Sequence, residues 1–260
     1  LEAQGRPLRR ASRSAEVTFD WDDPGTWDDA LRGAGAAYVV YTPDLAVPAA
    51  PAAIRAFAER ALAHGLERLV LLSGRGEPEA QRCERILADT VAGRADWTVV
   101  RAAWFQQNFS EGAFLEPVLA GSVALPAGEV PEPFVDVDDV ADVAVAALTE
   151  DGHAGEVYEV TGPRLLTFAE AVADVAAAAG REVSYAQLTM PDFRAYLAGA
   201  GVPDGYGELL EYLFTEQGRG HNAHVTDGVQ RALGRAPRDL RDYARDAAAA
   251  DAWRTAGAEV

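Results

Sequence analysis

Residues 67–105 read ERLVLLSGRGEPEAQRCERILADTVAGRADWTVVRAAWF. The apolar run "ERLVLLSG" predicts a buried strand ending at Ser73-Gly74. "EPEAQRCERILADTVAG" predicts a helix, and "WTVVRAAWF", starting at Trp97, a further strand. Strands alternating with helices specify a parallel sheet covered on both faces.

Upstream, "AAYVVYT" (36–42) predicts another short buried strand. "PAAIRAFAERALAHG" follows it, with Ile54, Phe57, Ala58, Ala61 and Leu62 on one helical face and Gly65 near the C-cap. At the N-terminal end, "LEAQG" reads as a last helical turn closed by Gly5. "RPLRRASRS" then reads as a short extended segment carrying four arginines. Downstream, "VPEPFVDVDDVADVAVAALTED" predicts a loop and a helix capped by Asp136, Asp138 or Asp139. "GEVYEVTGP" predicts a strand, and "TFAEAVADVAAAAG" a helix opened by a Thr167/Glu170 capping box. From about residue 186 onward the chain is helical, loop-rich and aromatic. "RDYARDAAAADAW" closes it as a helix, and the final "RTAGAEV" is expected to fray.

Composition removes several classes of function. A net charge of −18 argues against a nucleic-acid partner, which needs a basic face. Cys83 is the one cysteine, so there is no internal disulfide and no Cys-based zinc site. All 23 basic residues are arginine. This excludes a Schiff-base lysine and a P-loop lysine. No apolar run approaches the ~18 residues of a membrane span, and no signal peptide is visible. A cytoplasmic setting is the default expectation.

Open parallel sheets bind ligands at the carboxyl ends of their strands. Those ends are Arg13, Asp20-Trp21, Tyr41-Thr42-Pro43, Ser73-Gly74-Arg75-Gly76 and Ala103-Trp104-Phe105. Other candidates have simpler explanations. His221 and His224 in "GHNAH" lack a carboxylate or Cys companion and read as a surface loop. "DVDD" reads as helix capping, and "LSGRGE" lacks the ending of a P-loop. Cys83 lies mid-helix as a small core residue.

The words "GRPLRRASRS", "VTFDWDDPGTWDDALRGAGAAYVVYT", "VLLSG", "CERIL", "WTVVRAAWFQQNF", "PFVDVDDVADVAVAAL", "VYEVTGP" and "GRAPRDLRDYA" occur in this order. Together they resemble the NmrA-like and triphenylmethane-reductase-like atypical short-chain dehydrogenase/reductases. The resemblance implies an α/β fold: a Rossmann-like doubly wound parallel sheet with a smaller, mostly helical C-terminal substrate lobe. Residues 1–125 would form the NAD(P)-binding domain and 126–260 the lobe, with 134–162 returning to the sheet and a substrate cleft between the two.

In that family a first strand, a GxxGxxG turn and most of a helix precede the point where this sequence starts. The glycines let the backbone approach the pyrophosphate. By a strand-turn-helix count about 15 to 20 residues are absent, and a fragment is favoured over a lost phosphate cradle. The expected consequences are weak cofactor binding and a gap or substitute element beside the strand at 36–42.

The resemblance also implies roles. Arg13 suits the 2′-phosphate of NADP, where an acid would grip the ribose of NAD. Ser12 and Ser14 add hydroxyl donors, and Arg10 adds charge. Asp20 and Trp21 match the position flanking the adenine, and Tyr41, Thr42 and Pro43 the loop under the nicotinamide-side ribose. Ordinary packing is an equal reading of Tyr41. Ser73 and Gly74 complete the cofactor set, and Ser73 could also hydrogen-bond a substrate. Trp104, Phe105, Gln107, Asn108 and Phe134 would form an aromatic, mildly polar substrate pocket, with core packing the competing reading for the rings.

One departure matters for the chemistry. Typical short-chain dehydrogenases use a Tyr and a Lys four residues later as a proton relay. Aligning on "CERIL" puts Glu77 and Gln81 at those places. The implied function is an NADPH-dependent reductase passing hydride to a quinone-like or otherwise electrophilic small molecule. Two alternatives stay open: a non-catalytic redox sensor binding the dinucleotide, and a scaffold without dinucleotide binding. Neither a metal nor a membrane partner is implied, and the oligomeric state is open, a homodimer included.

Overall fold

The computed structural model describes residues 1–254. The fraying expected of 255–260 lies outside the described residues. The chain divides into two compact units. The first comprises Leu1–Arg101 and Ala141–Tyr158, and the second begins with Ala102–Val140 and resumes at Glu159.

The first unit starts with two short strands, β1 (Ala11–Ser12) and β2 (Val17–Thr18), which pair in parallel. Helix α1 (Trp27–Leu31) and strand β3 (Ala36–Val39) follow, then α2 (Ala50–Ala63), β4 (Arg68–Gly74), α3 (Pro78–Val91) and β5 (Asp96–Ala102). The greater part of a later helix, α5 (Val137–Thr149), and of strand β7 (Glu156–Val160) completes it. The central sheet is parallel, in the order β3-β4-β5-β7. Leu69, Val70 and Leu71 in β4 are fully buried, as the continuous apolar run requires of a strand covered on both faces.

Helices α2 and α3 both carry a proline in the first turn, where the missing N–H costs nothing. They bury Ile54, Phe57, Ala58 and Ala61 from one and Ala80, Cys83 and Leu87 from the other in a common core. Each large side chain buried there contributes about 1.5–3 kcal/mol. The spacing read from the sequence therefore places the right face inward. Helix α3 also turns two polar residues, Glu84 and Thr90, to the buried side.

Three strand expectations are corrected, the first being the strand read through Phe105, which ends at Ala102 and leaves Trp104 and Phe105 beyond it. The segment ending near Arg13 contributes only Ala11–Ser12 and stays outside the central sheet. The strand expected at 36–42 ends at Val39. Beyond it the Val40 carbonyl accepts from the Trp21 indole N–H (3.0 Å), and Pro43 has no N–H to donate. Among the described residues β3 pairs with β4 alone, and its other edge carries no strand.

The second unit contains α4 (Leu115–Ala120), β6 (Ser122–Leu125), α6 (Phe168–Ala179) and β8 (Ser184–Gln187). Helices α7 (Met190–Gly199), α8 (Asp204–Gly218), α9 (Gly228–Leu233) and α10 (Leu240–Ala249) follow. Strands β6 and β8 form a separate parallel pair. The core is a ring cluster of Phe109, Phe114, Phe134, Phe168, Phe193 and Phe214. The capping box of α6 forms as read: Thr167 Oγ1 accepts from the Glu170 N–H, and Glu170 returns a carboxylate oxygen to the Thr167 N–H.

The separated sequence words meet in this unit. Asp139 is fully buried and accepts from the Arg235 guanidinium (2.7 Å), the Arg238 N–H (2.7 Å) and the Arg238 guanidinium (2.5 Å). "DVDD" and "GRAPRDL" are thus halves of one ionic tie around a buried carboxylate. Arg164 bridges Asp174 and Asp239 in the same way, fixing α6 to the start of α10. Gly162 of "VTGP" lies so close to the Phe134 carbonyl that a Cβ there would sit 2.1 Å from the oxygen, so no larger residue fits.

Candidate functional site

In the first unit β1 ends at a small turn. Ser12 Oγ accepts from the Ser14 N–H (3.3 Å) and lies 3.5 Å from Ser14 Oγ. Arg13 stands between them, exposed, and makes no hydrogen bond or ion pair among the described residues. Its neighbours are committed. Arg9 caps the C-terminal carbonyls of α1, donating to Asp29, Ala30 and Arg32 at 3.3, 2.9 and 2.7 Å. Arg10 pairs with Glu2 at 2.9 Å. One guanidinium and two hydroxyls therefore face solvent at a strand end.

Asp20 organises the next turn. Its side chain accepts from the Asp22 N–H (3.1 Å), and its carbonyl accepts from the Trp27 indole (2.7 Å). Trp21 packs on Tyr41 with ring centres 4.9 Å apart, and on Phe57 at 5.3 Å. Tyr41 is only 8% exposed, and burial pushes its phenol above the ordinary range. That favours packing for the Tyr41 ring. Thr42 and Pro43 are exposed beside it, joined by a cis peptide.

At the carboxyl end of β4 lies an arrangement the sequence reading missed. Ser73 is buried, and its hydroxyl donates to Glu84 Oε1 at 2.6 Å. Arg101, from β5, grips the same carboxylate through Nε (2.9 Å) and a terminal nitrogen (2.5 Å). The only signal for it was a charged residue on the apolar face of a helix and another within an apolar strand. Beside it, Glu77 folds its carboxylate over Gly74, where a Cβ would sit 2.0 Å from Glu77 Oε1. Cys83 is buried near this group, and burial pushes its thiol up to about 11, so it stays protonated at neutral pH.

In the second unit Trp104 and Phe105 follow β5, where Ala103 takes the Val160 carbonyl (3.1 Å) and Phe105 bridges to Val135. Both aromatic residues are half-buried. The Trp104 ring rests on Phe214 (5.0 Å), Phe168 (5.4 Å) and Phe114 (6.2 Å). Gln107 is committed elsewhere: its amide donates to Asp136 (2.8 Å) and accepts from the Val137 N–H (2.9 Å), holding the start of α5. Asp136 also accepts from the Asp138 N–H (2.9 Å), which makes it the capping residue among the three candidates. Phe134 is 2% exposed and belongs to the core. Asn108 stays half-buried, its side chain folded against Gly112. Of the five proposed pocket residues, Trp104, Phe105, Gln107 and Asn108 are half-buried, the Gln107 amide being engaged by Asp136 and Val137, and Phe134 is buried in the core.

No family model matches the chain. It is 30% identical over 229 residues to the uncharacterised oxidoreductase YesF of Bacillus subtilis, covering 88% of this chain and 79% of that protein. It is 35% identical over 257 residues to the (4-alkanoyl-5-oxo-2,5-dihydrofuran-3-yl)methyl phosphate reductase of Streptomyces griseus, covering 94% and 88%. An NAD(P)H azoreductase of Xenophilus azovorans shares 34% identity over 155 residues, 59% of this chain and 54% of that protein. Among solved structures, an NADPH-dependent quinone oxidoreductase of Escherichia coli complexed with NADPH superposes with a TM-score of 0.74 at 23% identity, covering 88% and 82%. A Citrobacter triphenylmethane reductase complexed with NADP(H) superposes with a TM-score of 0.72 at 18% identity, with the same coverage.

The parallel sheet and these relatives define an oxidoreductase of the Rossmann-like, NAD(P)-binding class. Within that class the chain belongs to the NmrA-like, triphenylmethane-reductase-like family of atypical short-chain dehydrogenase/reductases. No helix among the described residues is long and apolar enough to cross a membrane.

Proposed function

We propose that the protein is an NADPH-dependent reductase that delivers hydride to a quinone-like or otherwise conjugated, electrophilic small molecule. The observation that carries this reading is the commitment of the Ser73 hydroxyl to Glu84 at 2.6 Å, in a chain with no lysine and no tyrosine in 77–81. The carboxyl end of β4 therefore lacks the relay that carbonyl reduction uses to protonate an alkoxide. An acceptor whose reduced form is a stabilised anion needs no such relay and takes its proton from water. The names of two relatives agree with that class, since an azo group and a ring-unsaturated lactone are both electrophilic π systems.

The fit of a nicotinamide dinucleotide differs along its length. The Ser12-Arg13-Ser14 turn presents a charged fork and hydroxyls suited to a 2′-phosphate, which favours NADP over NAD. The pyrophosphate finds no GxxGxxG turn in this sequence. When bound, the nicotinamide supplies the hydride. Trp21, Thr42 and Pro43 complete the proposed cofactor side in the first unit, where the Glu77 carboxylate covers Gly74. Ser73, its proton held by Glu84, offers lone pairs and acts as a hydrogen-bond acceptor. Trp104 and Phe105 give a flat ligand an aromatic face, and Asn108 a polar edge.

Two results are expected. Glu77→Ala and Gln81→Ala leave quinone-dependent NADPH oxidation within about tenfold of wild type, well short of the ~10²–10⁴ loss for a true general acid. A collapse of turnover with unchanged cofactor binding, in either variant, would place the chemistry at the start of α3 instead. Separately, calorimetry on the 260-residue chain gives weak NADPH binding, because Arg13 and the adenine-side contacts hold the dinucleotide without a glycine turn. A low-micromolar affinity would contradict that.

A further inference from the structure

The 3-10 turn Gln106–Phe109 carries Trp104 and Phe105 at its entrance, and it is held from two directions. On its local side, Gln106 Nε2 donates to the Phe134 carbonyl (3.0 Å), and Gln107 holds Asp136 and Val137. From the distant end of the chain, the Trp253 indole N–H donates to the Phe109 carbonyl at 2.7 Å. The Tyr243 hydroxyl donates to Ser110 Oγ at 2.5 Å. Tyr243 is 9% exposed and Trp253 5%. Packing alone would accept phenylalanine at either place. The polar atoms are what distinguish these side chains, and both are aimed at the far end of one turn.

We infer that Tyr243 and Trp253 are positioning residues, setting the placement of the turn that presents Trp104 and Phe105 to an aromatic acceptor. This rests on the acceptor role proposed above for those two rings. A short 3-10 turn has few ladder hydrogen bonds and opens cheaply unless side chains fix it. Burial pushes the Tyr243 phenol up to about 12, so it remains a donor throughout the neutral range. The segment "RDYARDAAAADAW" thus does more than close the fold: through Ser110 and Phe109 it sets the floor on which the ligand lies.

The test uses naphthoquinone as the probe. Its dissociation constant is read from quenching of tryptophan fluorescence in the 260-residue protein, in Tyr243→Phe, in Ser110→Ala and in the double variant. Val175→Ala, a core change in α6 that removes neither of these hydrogen bonds, serves as a stability control. Each single variant is expected to weaken naphthoquinone binding about fivefold, the size of one lost hydrogen bond. The double variant is expected to be no weaker than either, NADPH binding to stay unchanged, and the control to lose melting temperature without losing affinity. The inference is overturned by unchanged affinity in Tyr243→Phe, by additive losses in the double variant, or by an equal loss in Val175→Ala. It is also overturned if the wild type does not bind naphthoquinone at all. NADPH oxidation driven by another electrophile would then leave the proposed function standing. Binding without NADPH oxidation defeats the function and leaves the positioning intact.

Discussion

Glu84→Ala is expected to destabilise the protein by about 3–5 kcal/mol, the range for removing one partner of a buried ion pair. The carboxylate is 7% exposed and the Arg101 side chain 17%, so water does little to compensate. The substitution takes from Arg101 the two hydrogen bonds it makes to Glu84 and from Ser73 the acceptor of its proton. It also opens a cavity on the inner face of α3, beside Cys83 and Leu87. Glu84→Gln keeps the volume and one acceptor oxygen, and is expected to cost about half as much. Urea unfolding followed by circular dichroism measures both. A loss below about 1 kcal/mol in Glu84→Ala would mean the triad behaves as an exposed pair, and that Ser73 is free to serve as a donor.

Arg13→Glu is expected to reverse the cofactor preference. A charge-assisted pair with the 2′-phosphate contributes roughly 1.5–3 kcal/mol, or about ten- to hundredfold in affinity. Replacing it with a carboxylate adds repulsion towards the phosphate and offers a partner to a free ribose. NADPH binding is therefore expected to fall while NADH binding holds or improves. Ser12→Ala and Ser14→Ala should each weaken NADPH by less, because a hydroxyl contributes less than a guanidinium. Equal affinities for the two cofactors, both before and after the charge reversal, would show Arg13 to be a solvated strand end.

The parts legible in the sequence were those with local causes. Apolar runs placed β4 and β5, helical spacing placed α2, and the Thr167/Glu170 pair placed the start of α6. Strand length was less legible, since it depends on a neighbour: β3 stops at Val39, with β4 its one partner among the described residues and Trp21 taking the next carbonyl. The buried polar ties were illegible for the same reason. Glu84 meets Arg101, and Asp139 meets Arg235 and Arg238, across distances in sequence that no periodicity encodes. Gln107 and Phe134 look like pocket residues in a string of letters. Their duties as a helix-start clamp and a core ring follow from where the segment around residue 135 returns.

The central claim is that hydride passes to an electrophilic π system without a protein proton relay. It is tested most directly by following NADPH oxidation at saturating cofactor, with a quinone or azo dye as acceptor and a simple ketone in parallel. The expected result is oxidation that saturates with the quinone or dye, is absent with the ketone, and shows no acidic or basic limb from an enzyme group near neutral pH. NADPH that binds but is not consumed with any conjugated acceptor would contradict the claim and favour a non-catalytic, dinucleotide-sensing role.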